Sequence, residues 1–206
     1  GIPSALFGGC VVFLAAAVYM FIMPSPRAVI GKMGKIGTDI LFDSARGLKS
    51  ILQLPVVRTL LLATIVVEIF GFAYYSLLPG FARRVLEVDA DGLGTLSMMS
   101  GFGSVAGVVI LSSLGDFKRK GLLIIIVTLG YGLTLIGFAA SGVFPVSLVL
   151  ITAVGAMAAS FDAMQWTTLQ QNVPDEQRGQ VIGGWVFAIG FGWAGPLVLG
   201  GVAESV

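Results

Sequence analysis

Long apolar runs, separated by short connections that hold most of the charge, set the pattern of the chain. A helix needs about 20 apolar residues to cross a hydrocarbon core. By that measure the chain has six spans: Ser4 to Met23, Val56 to Pro79, Leu93 to Leu114, Gly121 to Ala140, Pro145 to Leu169 and Val181 to Ala203. The expected fold is therefore all-α, a polytopic transmembrane helix bundle.

Composition strengthens this reading. Hydrophobic residues make up 56% of the 206, charged residues 11%, and mean hydropathy is +0.97, too apolar for a water-soluble domain. The net charge of +1 gives no nucleic-acid footprint. Cys10 is the single cysteine and histidine is absent, which excludes an intrachain disulfide, thiolate clusters and imidazole-based metal sites. No metal or cofactor is expected. The first span does not read as a signal sequence, because it starts at Gly1 without a basic segment and its apolar run is too long. With the abrupt end at Glu204-Ser205-Val206, it suggests a fragment of a longer protein.

The charges orient the spans. Arg27, Lys32, Lys35, Arg46, Lys49 and Arg58 surround the first connection, Lys118, Arg119 and Lys120 the third, and Arg178 the fifth. The opposite side has only Arg83 and Arg84, offset by Glu87, Asp89 and Asp91. Positive-inside counting makes the first, third and fifth connections cytoplasmic. The first connection, Pro24 to Pro55, is the only long one and reads as a seam between two bundles. Within it, Thr38 or Asp39 suits an N-cap, and Leu41, Ala45, Leu48 and Leu52 form an apolar stripe. That segment is expected to lie as an amphipathic helix on the inner membrane surface, or else to dock a partner.

Three connecting sequences carry a resemblance. LLPGFARRVLEVDADGLGTLSMMSGFGSVAG, SSLGDFKRKG and LQQNVPDEQRGQVIGG occur in the order and spacing of the carboxy-terminal half of a major facilitator superfamily transporter. The chain most resembles the bacterial drug and siderophore exporters of that superfamily, the macrolide-efflux type among them, and the likeness covers essentially its whole length. It implies a partial major facilitator fold with residues 1–23 as the last helix of the amino-terminal bundle, 24–55 as the central cytoplasmic loop, and 56–206 as a carboxy-terminal bundle without its final helix. It also implies a multi-pass protein of the bacterial inner membrane whose amino-terminal half is missing here.

The resemblance gives the GDFKRKG loop a second meaning. On physical grounds Gly115 permits a tight helix exit, Asp116 accepts hydrogen bonds from a helix N-terminus, and Lys118 to Lys120 hold the loop at the inner surface. In the resembled family this loop is a gate latch, which carries over to Gly115, Asp116 and Lys120. Ser112, Ser113 and Phe117 depart from the fuller pattern, so a plain solvated turn stays open. In VPDEQRG, Pro174, Asp175 and Glu176 suit a helix start, and Arg178 takes a gating role only by resemblance.

Candidate chemistry centres on Glu68 and Asp162, acids within apolar spans. A central acid costs roughly 2.5 to 3.5 kcal/mol on insertion scales, against about 0.3 to 0.6 returned by each large apolar residue. On a 3.6-residue period Thr64, Glu68, Gly71 and Tyr75 share a face, as do Thr152, Gly155, Ala159, Asp162 and Trp166. By resemblance these helices line the central cavity, whereas the span from Gly121 to Ala140 is peripheral. Such acids suggest proton coupling or attraction of a cationic or amphiphilic small-molecule substrate, with Phe72, Tyr75 and Trp166 giving apolar and cation-π contact. A structural ion pair with the other half is the remaining option.

Gly103 and Gly107, with Ser100 and Ser104, form a small-residue surface suited to close helix packing. Gly195-Pro196 should kink the last span. The function expected is secondary active transport, specifically proton-coupled efflux of a drug-like molecule by alternating access. A non-transporting sensor or partner domain on the same fold is the alternative. An intramembrane enzyme is disfavoured: Asp162 follows Phe161, and Asp116 follows Ser113-Leu114-Gly115, so neither the YD nor the GxGD context of aspartyl proteases is met. Histidine-dependent hydrolysis has no residues here either.

Overall fold

The computed structural model describes residues 53–115, 120–173 and 177–197. The chain divides into two compact units, Gly1–Leu41 and Phe42–Val206, and every described residue belongs to the second. The first span, the amphipathic linker helix and Asp116 lie outside the described residues.

Within the described residues, the apolar runs fold as helices. We label them α1 (Pro55–Val66), α2 (Tyr74–Arg84), α3 (Ala90–Ser113), α4 (Lys120–Ala140), α5 (Phe144–Gln171) and α6 (Arg178–Gly190). Among the described residues, four stretches are long and apolar enough to cross a membrane: α1 and α2 taken together, α3, α4 and α5. A shorter apolar helix runs over Val181–Leu197. Pro55 starts α1 and Pro145 lies in the first turn of α5, where the missing N–H costs nothing. Gly115 leaves α3 with φ +62°, the left-handed turn expected of a glycine just past a helix end.

Small residues bring α3 and α5 together. A side chain at Gly103 would meet the Thr152 carbonyl oxygen at 1.9 Å, one at Gly107 the Ala156 oxygen at 2.3 Å, and one at Gly155 the Ser100 oxygen at 2.0 Å. The seam is backbone against backbone, which only glycine permits. The Ser104 hydroxyl adds polar closure, lying 3.0 Å from the Ser100 carbonyl and 3.2 Å from the Gly155 carbonyl. The expected packing role of the glycine-serine surface is thus what these residues do.

Helix α4 rests on α5 through Gly130 against Met157 and Gly137 against Leu150. Its outer face, with Leu129, Leu133 and Ile136, is exposed, as befits residues that meet lipid. Val57, Leu60 and Leu61 of α1 form a separate core with Leu169, Val173, Val181 and Ala188.

Among the described residues, regular α-helix gives way to another winding at two places. Between α1 and α2 the chain widens into a π-turn, Val67–Gly71, in which Phe72 N–H donates to the Val67 carbonyl at 3.1 Å; the ladder then tightens, with Tyr75 N–H donating to the Phe72 carbonyl. Beyond α6 a 3₁₀ turn, Phe191–Trp193, precedes the Gly195-Pro196 step. Pro196 lacks the N–H that Gly192 would otherwise bind, so the helix changes winding there, close to where its sequence foretells a kink. The two irregular turns touch each other. A side chain at Gly195 would lie 2.3 Å from the Ile69 carbonyl oxygen.

Candidate transport site

Glu68 lies inside the π-turn, 9% exposed. One carboxylate oxygen points at Gly192, so close that a side chain there would stand 2.9 Å from it. Gly71, a turn further on, leaves room for the Tyr131 ring, which would sit 2.8 Å from a side chain at that position. The wide turn thus places an acid against one glycine of the 3₁₀ turn and an aromatic ring against another glycine of its own.

Asp162 on α5 is within electrostatic reach of Glu68, and both act on Tyr131. No basic side chain among the described residues forms an ion pair with either acid. Several hydroxyls gather just past the π-turn that carries Glu68. Tyr74 and Tyr75 stack with centroids 4.3 Å apart, and both hydroxyls reach the buried Ser100 Oγ, at 3.2 and 3.3 Å. Phe72 meets Tyr131 edge-on at 6.2 Å and lies parallel to Tyr75 at 6.3 Å.

The break changes the face expected from strict helical spacing. Thr64, Glu68 and Gly71 are buried, but the buried line resumes at Tyr74 (8% exposed) while Tyr75 is 48% exposed. A 3.6-residue count cannot be carried through a turn with another winding. Tyr75 stays beside the site through Ser100, whereas the Tyr74 ring takes the interior place.

Tyr131 is the second departure. The span that carries it is peripheral over most of its surface, yet this residue is 2% exposed and its hydroxyl has no partner among the described residues. A tyrosine between Gly130 and Gly132 in an otherwise aliphatic run was the sequence signal for it. A buried phenol ordinarily finds a partner.

Gln165 is the third. It is 1% exposed on α5 and pairs with Thr64 on α1, one turn from each acid. Thr64 Oγ1 lies 3.0 Å from the Leu60 carbonyl, and a hydroxyl has one proton. If Thr64 donates to Leu60, the amide must donate to Thr64 in turn, which reverses the amide oxygen and nitrogen relative to their assigned positions. Either way one amide atom of Gln165 has no partner among the described residues.

The remaining candidates stand elsewhere. Trp166 packs on Trp185 with centroids 4.9 Å apart and shares a crevice with Arg178, at the α5–α6 connection. Lys120 begins α4 and its Nζ donates to Gln171 Oε1 of α5 at 2.6 Å, so it ties the two helices at the end that also carries Gly115. Among the described residues no group of histidine, cysteine or acidic side chains could hold a metal ion.

Glu68 thus lies where two irregular turns touch, and Asp162 lies in the regular helix α5 within electrostatic range of it. No curated protein and no solved structure matches the chain. A family model does, over residues 1–203, and on it the chain belongs to the Major Facilitator Superfamily, a family of membrane transporters for small molecules.

Proposed function

We propose that the chain serves proton-coupled export of an amphiphilic, drug-like molecule, with Glu68 and Asp162 as the coupling acids. Membership of the superfamily makes it a multi-pass secondary transporter; the direction, the ion and the substrate class are our reading. The observation that carries it is the pair itself: two acids near each other in membrane helices, neither neutralised by a described basic side chain. A carboxyl whose surroundings alternate between protein and water alternates in how firmly it holds a proton, which is what coupling requires. Phe72, Tyr74 and Tyr75 offer aromatic faces just past the π-turn that carries Glu68, suited to a cation with an apolar body.

On this reading residues 56–206 are the carboxy-terminal bundle, an amino-terminal bundle supplies the facing half of the cavity, and the end bearing Lys120 and Arg178 is cytoplasmic, in a bacterial inner membrane. Gly115, Asp116, Lys120 and Arg178 then belong to the gate at that end. The Lys120–Gln171 bond supports this in that it ties the start of α4, just past the loop, to the end of α5.

The test is efflux from proteoliposomes driven by an imposed pH gradient, comparing the native protein with Glu68→Gln and Asp162→Asn. Each variant is expected to lose at least tenfold in gradient-driven efflux while retaining substrate exchange without a gradient. If both export at the native rate with the native proton dependence, the coupling role is wrong.

A further inference from the structure

Of the buried residues of α4, Val127, Tyr131 and Phe138, only the tyrosine carries a side-chain polar atom. Its ring is held on two sides: a side chain at Gly71 would stand 2.8 Å from it, and Phe72 meets it edge-on at 6.2 Å. A phenylalanine has the same ring, so this packing does not need the hydroxyl. That hydroxyl is nevertheless buried there, with no partner among the described residues. A buried donor left unpaired costs stability and calls for a role that offsets the cost.

Register decides what the hydroxyl can reach. Gly130 packs on Met157 and Gly137 on Leu150, so α4 and α5 run antiparallel, with Tyr131 level with Ala156. Asp162 lies further along α5 from that level, by about 9 Å at 1.5 Å per residue. Side chains lean toward the N-terminus of their own helix, so in this antiparallel pair the phenol and the carboxyl lean toward each other. Among the described residues, the titratable groups that act on the phenol are Tyr74 and Tyr75 of α2, Glu68 of the π-turn and Asp162 of α5, and of the two acids Asp162 acts more strongly. The Tyr74 and Tyr75 hydroxyls engage Ser100 Oγ, and a Glu68 oxygen is directed at Gly192. Lys120, the only charged residue of α4, opens that helix about three turns before Tyr131. Asp162 has no ion pair or hydrogen bond among the described residues, so its carboxyl retains the capacity to accept one.

We infer that Tyr131 is a positioning residue for Asp162: its hydroxyl donates to the Asp162 carboxylate when that acid is ionised and lets go when the acid takes up a proton. The phenol keeps its own proton throughout. A helix that otherwise faces lipid thus supplies the donor, and it acts on transport only through Asp162. The inference rests on the reading of Asp162 as an acid that gains and loses a proton.

Infrared difference spectra of the full protein in liposomes, titrated with pH, test it; the carboxyl band absent from Asp162→Asn is that of Asp162. In Tyr131→Phe this band should titrate at least about one pH unit higher, a tenfold gain in proton affinity, because the carboxylate has lost a donor. Replacing Tyr131 with 3-fluorotyrosine, which keeps the packing and donates more strongly, should move the titration the other way. An Asp162 band that titrates unchanged in Tyr131→Phe overturns the inference, and so does one that never changes with pH. Should Tyr131→Phe fail to fold, the fluorotyrosine protein decides alone, since an unchanged titration there is incompatible with a hydrogen bond from that phenol. The coupling reading fails in a different way: Asp162 then follows the substitutions at Tyr131, while Asp162→Asn exports with the native proton dependence.

Discussion

The α3–α5 seam and the junction of the π-turn with the 3₁₀ turn are both places where glycine lets helices approach, and they use it differently. At the seam, Gly103, Gly107 and Gly155 each face a backbone carbonyl. At the junction Gly195 does the same, but Gly192 and Gly71 face the ends of side chains, Glu68 and Tyr131. A backbone carbonyl cannot step aside, whereas a carboxyl or a phenol can. The seam is therefore built to stay as it is, and the junction keeps parts that can rearrange.

The same substitution at the two places gives the largest expected contrast. Gly155→Ala should cost at least ~3 kcal/mol, the upper end of overpacking, because its methyl group would fall on the Ser100 carbonyl. Gly192→Ala should cost under ~1 kcal/mol, since Glu68 can swing away, yet it should impair transport by displacing that acid. Thermal unfolding in detergent, run beside an efflux assay, reads both. Equal loss of Tm at the two positions would erase the distinction.

A smaller effect is expected from the polar bond between α1 and α5. Hydrogen bonds between membrane helices average about 0.6 kcal/mol, with a maximum of about 1.7. A double-mutant cycle with Thr64→Val and Gln165→Leu should give a coupling in that range. A coupling of zero would mean that the pair does not hold the acid-bearing helices together.

The smallest change belongs to Tyr131→Phe. Its hydroxyl is buried without a described partner, so losing it should leave stability unchanged or raise it by up to ~1 kcal/mol. If transport falls while Tm holds, the hydroxyl takes part in the transport cycle. If Tm falls instead, the phenol has a partner and the junction is more tightly fixed than described.

The sequence shows the spans clearly because solvent imposes them: about 20 apolar residues between charged connections have few other folds open to them. The α3–α5 contact is legible too, since Gly103 and Gly107 recur one turn apart beside serines. What local spacing does not show is a change of winding. Nothing in the run VVEIFGFAYY says that the helix widens at Val67, and so Tyr75 rather than Tyr74 reads as the interior residue. Gln165 is hidden for another reason. A glutamine near the end of a span looks like an interfacial residue until Thr64, 101 positions earlier, is seen across from it. Tyr131 shows that a helix counted as peripheral still sends one ring inward.

The glycine seam also sets an order of assembly. Ser104 and the Gly155 carbonyl that it meets are 51 residues apart, with α4 between them in sequence. At about 5 to 20 residues per second, α3 emerges roughly 3 to 10 s before its partner strip has been synthesised. Through that interval Gly103 and Gly107 have no α5 to pack against, so α4 must enter the bilayer without occupying their groove. Any slowing of translation across α4 lengthens this exposure, which makes the stretch between Ser113 and Phe144 the one where the timing of synthesis bears most directly on the yield of folded transporter.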